Sequence, residues 1–427
     1  MQILYRNKRN TNGLIMNETK NTSYPKEKIN VLFLENISDT AVKFFKEQGY
    51  SSVKKYTGAL SEEDLIKEIK DVHLLGIRSK TQITAKVLDA AQKLQAIGCF
   101  CIGTNQVDLK YARKKGVVVF NAPYSNTRSV AELVMASSIF LIRRIPDKNK
   151  AAHDGKWMKD AKGSYELRGK TLGIIGYGNI GTQVSILAEG LGMKVIFYDV
   201  ITKLPLGNAS ACKSLKELVG QADVITLHVP ETPATKNMIN KQLLKNFKPG
   251  SILINYARGE VVDLDALRNA ILDKHISGAA IDVYPVEPEK NGDPFVTPLQ
   301  GLPNVILTPH IGGSTEEAQR NIGEDVSNKL FQYLEKGVTI GSHTVPDLSV
   351  PPVEGSHRIL HIHKNVPGVL SAINLALSDN GINILGQYLK TNDEVGYVVL
   401  DLDQKLSKKA SDILKEVKGT MKVRLLY

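Results

Sequence analysis

From residue 29 onward, short apolar runs alternate with amphipathic stretches of helical period. The runs at 31–34, 74–75, 96–97 and 117–120 predict strands, and residues 39–48 predict a helix after the first of them. Such a rhythm implies a parallel sheet covered by helices. A long helix is expected over 126–143, followed by a less regular passage holding the only tryptophan, Trp157. A second series begins at Thr171, with strands at 172–175, 195–198, 224–228, 252–255, 279–281 and 305–307. The helix expected at 314–335 has no strand of this series after it. It should pack back on the first series and make that domain discontinuous.

The turn opening the second series changes the picture most. In LGIIGYGNIG (172–181) an apolar strand runs into Gly176, Gly178 and Gly181, a G-x-G-x-x-G turn, and a helix follows. The first glycine allows the tight turn, the second lets backbone approach a pyrophosphate, and the third permits close helix–strand contact. The helix start, with Asn179 and Ile180, offers free N–H groups and a positive dipole end to the phosphates. Asp199 closes the next apolar strand, where a carboxylate can accept from a ribose 2′-hydroxyl and repel a 2′-phosphate. The cofactor expected is therefore NAD.

The remaining chain divides in two. Residues 339–355 are rich in Pro, Ser and Gly without periodicity and read as a linker. Residues 356–427 read strand, helix, strand, strand, helix, strand, the βαββαβ order of ferredoxin-like units. The expected architecture is α/β: two doubly wound, Rossmann-like parallel-sheet domains and a small C-terminal ferredoxin-like domain. The boundaries are 29–127 plus 308–338 for a substrate-binding domain, 128–307 for the NAD-binding domain, and 356–427 for the last. Residues 1–28, polar and aperiodic, are expected to be a disordered extension.

Composition excludes several classes. The 427 residues are 42% apolar and 23% charged, ordinary for a globular protein. The longest apolar candidate, 133–142, is interrupted by Ser137 and Ser138 and falls short of a membrane span. Three cysteines, Cys99, Cys101 and Cys212, suit neither a disulfide framework nor a metal site, so no metal is expected and the compartment expected is the cytoplasm. The net charge of +11 is concentrated at the two ends. It forms no single basic stripe with stacking aromatics, so no nucleic-acid partner is expected.

Oxidising a secondary alcohol with a nicotinamide needs a base for the hydroxyl proton, a group orienting that base, and a cation for the substrate's carboxylate. Three strand-to-loop junctions supply them. NYARG places Arg258 after one strand, AIDVYPVEP places Asp282 and Glu287 after the next, and TPHIGGS places His310 after the last. Ligands of open α/β sheets bind at these carboxyl ends. We pair His310 with Glu287, which would orient the imidazole and raise its pKa, and give Arg258 the substrate carboxylate. Singly, each could be a surface or turn residue; their succession on neighbouring strand ends favours catalysis.

The motifs RSVAELV (128–134), LGIIGYGNIG (172–181), HVP-x-T (228–232), NYARG (255–259), AIDVYPVEP (280–288) and TPHIGGST (308–315) resemble the D-isomer-specific 2-hydroxyacid dehydrogenase family. The resemblance implies that Arg258, Glu287 and His310 are catalytic. It further implies cofactor contacts at His228, Pro230, Ala257, Gly312 and Asp282, the last through the nicotinamide carboxamide. AIGCFCIGTNQVDL (96–109) and HIHKNVPGVLSAIN (361–374) are similar to the branch that oxidises 3-phosphoglycerate and ends in an ACT regulatory domain. That branch implies a phosphate site with Arg78 foremost, Lys80 where a second arginine is expected, and Lys159 nearby. It departs at Thr57, where the family's KGAL motif carries lysine. It also implies L-serine as effector, bound by His363, Asn365 and Asn383, and a tetramer built through the coenzyme and ACT domains. Alone, those three residues would read as structural. The rivals are a dehydrogenase of another 2-hydroxy acid, including 2-hydroxyglutarate, and a non-catalytic NAD-sensing regulator.

Overall fold

A computed structural model describes residues 24–288 and 292–426. The first unit contains β1 (Val31–Phe33), α1 (Asp39–Glu47), β2 (Val53–Lys55), α2 (Glu62–Glu68), β3 (Leu74–Ile77), α3 (Ala85–Ala90), β4 (Ala96–Cys99), α4 (Leu109–Lys114) and β5 (Val118–Asn121). Its strands form one parallel sheet in the order β2-β1-β3-β4-β5. The second unit contains α5 (Thr127–Ile142), α6 (Ile145–His153), β6 (Thr171–Ile175), α7 (Asn179–Gly190), β7 (Lys194–Tyr198), β8 (Ser210–Ala211), α8 (Leu215–Gln221) and β9 (Val224–Leu227). It continues with α9 (Lys241–Leu244), β10 (Ser251–Asn255), α10 (Leu264–Leu272), β11 (Ile276–Ile281) and β12 (Val305–Leu307). This sheet is also wholly parallel, ordered β12-β11-β10-β9-β6-β7-β8. α11 (Glu316–Lys336) then returns to the first unit, where Ile322, Val326 and Leu330 share a core with Phe33, Phe45 and Phe120.

Three elements escaped the apolar pattern. β2 carries one apolar residue and two lysines, as a short edge strand can. β8 has two residues, again at an edge. α6 is mostly polar and starts after Arg144, which turns the chain through a left-handed conformation before Pro146.

The C-terminal unit has β13 (Ser356–Lys364), α12 (Val369–Ser378), β14 (Ile384–Thr391), β15 (Val395–Asp403), α13 (Ser407–Lys415) and β16 (Thr420–Leu426). Its antiparallel sheet is ordered β14-β15-β13-β16. Alternation along each strand supplies two apolar faces. Ile359, Val398 and Leu400 pack with Ile373 and Leu377 of α12 and Leu414 of α13. Leu360, Ile362, Tyr397 and Val399 point the other way and join Tyr333 and Leu334 of α11 in the core of the first unit.

Two expectations need correction. Only residues 1–23 of the expected disordered extension lie outside the described residues; residues 24–28 are anchored. Tyr24 packs its ring at a tilt against His73 with centroids 5.4 Å apart, and Lys26 pairs with Glu335 at 3.1 Å. The linker at 339–355 is irregular but held along the free edge of β5. The Thr344 hydroxyl donates to the Val117 carbonyl at 2.8 Å, the His343 N–H to Val119 at 2.9 Å, and Ser342 bridges Phe120. An edge strand's unpaired backbone groups are thereby satisfied. Arg358 in β13 adds a second clamp, donating to the carbonyls of Lys336, Val350 and Pro351.

Candidate active site

Strand order in the second sheet reverses between β6 and β9, and the glycine turn follows β6. Gly176 has φ of 92°, and a Cβ there would lie 2.4 Å from the His228 carbonyl oxygen at the end of β9. A Cβ on Gly181 would lie 2.4 Å from the Gly176 carbonyl oxygen. Nothing stands within 4 Å of the equivalent point on Gly178, where backbone is open to an approaching group. α7 starts there without a side-chain cap, leaving its first N–H groups for a ligand. Asp199, just past β7, accepts from the backbone N–H of Tyr177 at 2.8 Å and Ile201 at 3.1 Å, which fixes its carboxylate beside the turn. The cradle fits a dinucleotide. His228 stands at its far wall, one nitrogen 3.0 Å from the Thr226 hydroxyl, and Nδ1 buried without a partner among the described residues. Burial pushes its pKa down to about 3, so the ring is neutral. Pro230 lies exposed two residues on.

β10, β11 and β12 are consecutive in the sheet, so their loops are neighbours although far apart in sequence. Here His310 and Glu287 meet: Nδ1 lies 2.8 Å from Oε2 and 3.1 Å from Oε1. The hydrogen bond that His310 donates to the Glu287 carboxylate raises the His310 pKa above its usual 6.5, against the opposing effect of burial. Burial alone would raise the Glu287 carboxyl; its bond and charge contact with His310 reverse that and leave it lowered. Arg258 is close enough for its charge to depress both groups. The structure therefore brings the three together, with the Nε2 side of the imidazole turned away from the carboxylate.

Each member is held by neighbours, of which the sequence did not single out Asn255 and Tyr284. Asn255, fully buried at the end of β10, donates to the Arg258 carbonyl at 2.9 Å and accepts from the Ala257 N–H at 3.1 Å. A polar residue closing an otherwise apolar strand was the available signal. The Arg258 guanidinium donates to the Ala257 carbonyl at 2.6 Å. The backbone N–H of Tyr284 donates to Glu287 at 3.1 Å. His310 itself has φ of 55°, a left-handed conformation that costs energy unless its surroundings impose it. Asp282, 1% exposed, imposes it by accepting from the Thr308 hydroxyl at 2.6 Å, the Ile311 N–H at 2.8 Å and the Gly312 N–H at 2.7 Å.

Residues 135–312 match the family model described as D-isomer specific 2-hydroxyacid dehydrogenase, NAD binding domain, and residues 359–423 match an AHAS small subunit-like ACT domain. The D-3-phosphoglycerate dehydrogenase of Escherichia coli (strain K12) is 52% identical over 407 residues, 95% of this chain and 99% of that one. The chain belongs to the D-isomer-specific 2-hydroxyacid dehydrogenase family. The D-3-phosphoglycerate dehydrogenase of Haemophilus influenzae is 50% identical over 96% of this chain and all of its own. Among solved structures, D-lactate dehydrogenase from Aquifex aeolicus, complexed with NAD and lactic acid, is 31% identical with a TM-score of 0.65. It covers 74% of this chain and 100% of its own. The fold is that of the family, two Rossmann-like domains with an ACT domain appended.

The other expected site residues are more dispersed. Arg78 and Lys80 lie in the loop after β3, at the carboxyl edge of the first sheet. Thr57 is exposed beyond β2 in the same sheet. Lys159 is exposed between α6 and β6, and among the described residues no hydrogen bond or ion pair joins it to His310 or Glu287. In the ACT domain, His363 is buried, with Nδ1 2.8 Å from the Lys364 carbonyl and Nε2 lacking a partner among the described residues. Asn365 donates to the Asn392 carbonyl at 2.6 Å, and Asn383 is exposed just before β14.

The His310–Glu287 pair predicts a pH signature. A base must be unprotonated to accept a proton, so kcat/KM for alcohol oxidation should rise with pH through a value above 6.5. Glu287→Gln removes the main cause of that elevation. The inflection should then move down toward 6.5 while the plateau rate falls. An unmoved inflection in the pH profile would place the titrating group elsewhere.

Proposed function

We propose that this chain oxidises 3-phosphoglycerate to 3-phosphohydroxypyruvate with NAD, the first committed step toward L-serine, and that L-serine feeds back on it. The observation that carries the chemistry is the His310–Glu287 pair on strand ends next to the dinucleotide cradle. The substrate follows from the relatives' activity, shared along nearly the whole chain including the C-terminal domain.

NAD, when bound, supplies the acceptor for the hydride leaving C2 of the substrate. Gly176, Gly178, Gly181 and the start of α7 would hold its pyrophosphate and Asp199 its ribose. Ala257, Asp282 and Gly312 line the approach to the nicotinamide end. His310 takes the C2 hydroxyl proton on Nε2, because Nδ1 already faces Glu287. The imidazolium so formed is stabilised by the Glu287 carboxylate and returns its proton to solvent afterwards. Arg258 grips the substrate carboxylate with its planar fork and aligns C2. Arg78 and Lys80, together with Lys159, would neutralise the phosphate.

L-serine is assigned to the junction of β13 and α12, supported by the Nε2 of buried His363, which has no partner among the described residues and lies beside Asn365. Asn383 would complete that site. We further assign the chain to a homotetramer in the cytoplasm, a reading in keeping with its three free cysteines. Among the described residues no helix is long and apolar enough to cross a membrane.

The second reading, a dehydrogenase of an unphosphorylated acid or of 2-hydroxyglutarate, is favoured by Thr57 standing where the family motif has a lysine. One assay separates the readings. Purified protein with NAD, 3-phosphoglycerate and a hydrazine trap should produce absorbance near ~340 nm, the reduced-nicotinamide band. Saturating L-serine should lower the initial rate and raise the melting temperature. Turnover of 2-hydroxyglutarate but not 3-phosphoglycerate would favour the second reading. An L-serine-independent rate and melting temperature would remove the effector assignment.

A further inference from the structure

Glu35, at the end of β1, is a carboxylate only 8% exposed. Its side chain accepts three backbone N–H groups from the loop after β3. Arg78 and Thr81 donate to Oε1 at 3.1 and 2.9 Å, and Lys80 donates to Oε2 at 3.0 Å. From the other side, buried Gln106 donates to the Arg78 carbonyl at 2.6 Å. The loop's backbone is thus held at both its donors and its acceptor.

The position of this clamp is informative. In a sheet ordered β2-β1-β3-β4-β5 the chain direction of winding reverses between β1 and β3, and open α/β sheets bind ligands at that crevice. Glu35 and the Arg78 loop are its two lips. Glu35 and Asn36 also have φ of 58° and 50°, two successive non-glycine residues in the left-handed region. Hydrogen bonds from their N–H groups to the Gly58 and Tyr56 carbonyls keep them there. Strain of this kind persists where the surroundings over-determine it, and it gathers at ligand clamps. Three converging backbone N–H groups would otherwise form an anion-binding concavity of their own. Here a side chain of the protein fills that concavity, so the loop has its shape before any substrate arrives. An incoming phosphate must then be met by side chains.

We propose that Glu35 is a positioning residue for the substrate's phosphate end: it locks the backbone of 78–81 so that Arg78 presents its cation to the cleft. This rests on the 3-phosphoglycerate reading above. Glu35 itself touches no reacting atom, so its loss should raise KM for the phosphorylated substrate and spare the chemical step.

The test compares wild-type protein with Glu35→Ala and Glu35→Gln, measuring KM for 3-phosphoglycerate, KM for NAD, kcat and melting temperature. Glu35→Ala should raise KM for 3-phosphoglycerate by roughly tenfold or more, with kcat and KM for NAD within about twofold of wild type. Glu35→Gln should show a smaller rise, because its one carbonyl oxygen can still take the Arg78 and Thr81 N–H groups. A melting temperature that falls while KM for 3-phosphoglycerate stays at the wild-type value would overturn the proposal and leave Glu35 a structural staple. So would a loss of kcat, or of NAD affinity, as large as the change in KM. Should Glu35→Ala fail to fold, a wild-type KM in Glu35→Gln overturns it alone. Wild-type protein inactive on 3-phosphoglycerate would instead overturn the substrate reading, and this one with it.

Discussion

His310→Asn should lower kcat for alcohol oxidation by about a thousandfold, within the range expected for loss of a general base, and leave NAD affinity close to wild type. Asparagine is the better probe than alanine, because position 310 sits at φ of 55° and asparagine tolerates that conformation. The variant removes the ionisable ring while keeping the backbone that Asp282 holds through Ile311 and Gly312. The part of the cradle expected to hold the pyrophosphate and ribose lies on β6 and β7, separate from the loop being altered. Initial rates with saturating NAD, and NAD binding followed by calorimetry, measure the two quantities independently. A variant that keeps most of its kcat would show that another group takes the proton.

Arg358→Met should destabilise the protein by about 3–5 kcal/mol, the cost of breaking one partner out of a buried ion pair. Arg358 and Asp401 are 1% and 0% exposed and share two hydrogen bonds, at 2.8 and 2.9 Å. Removing the guanidinium strands a carboxylate in the interior. It also strips donors from the carbonyls of Lys336, Val350 and Pro351, which lead from α11 into the ACT domain. Arg358→Met with Asp401→Leu should recover part of the loss, because the stranded charge is gone while the carbonyls stay unserved. Thermal and denaturant unfolding of the set would show it. A single variant that melts with wild type would mean the pair carries no net stability.

The same clamp bears on how an effector could act. Arg358, Tyr397 donating to the Gly337 carbonyl at 2.6 Å, and Arg424 donating to Leu334 at 3.0 Å tie the ACT sheet to the end of α11. Bending at 339–355, the natural expectation for a Pro- and Gly-rich linker, would have to break these contacts and those along β5. The crossings between the two Rossmann-like domains are held as well, the second of them by Asp282 at Thr308, Ile311 and Gly312. They run through 122–127 and 308–315 and are joined by the Ser129–Thr315 hydroxyl contact at 2.8 Å.

Periodicity and local motif were enough for the element order, the glycine turn with its acid, and the candidacy of Arg258, Glu287 and His310. Those features depend on near neighbours in the chain: an apolar run, a helix start, a residue placed just past a strand. They were insufficient for β2, β8 and α6, where edge position or polarity hides the pattern. They also misjudged residues 24–28 and 339–355, whose irregular composition looks loose until partners such as His73, Glu335 and the β5 edge are in place. Asp282 shows the division most clearly. The family resemblance implied a contact with the nicotinamide, and assembly adds a carboxylate shared among three donors from a loop about thirty residues later. Glu35 likewise had no signature, since its meaning lies in amides of another strand's loop. A hydrogen bond between distant segments leaves no period to read, and only the order in which strands lie side by side determines which loops can meet.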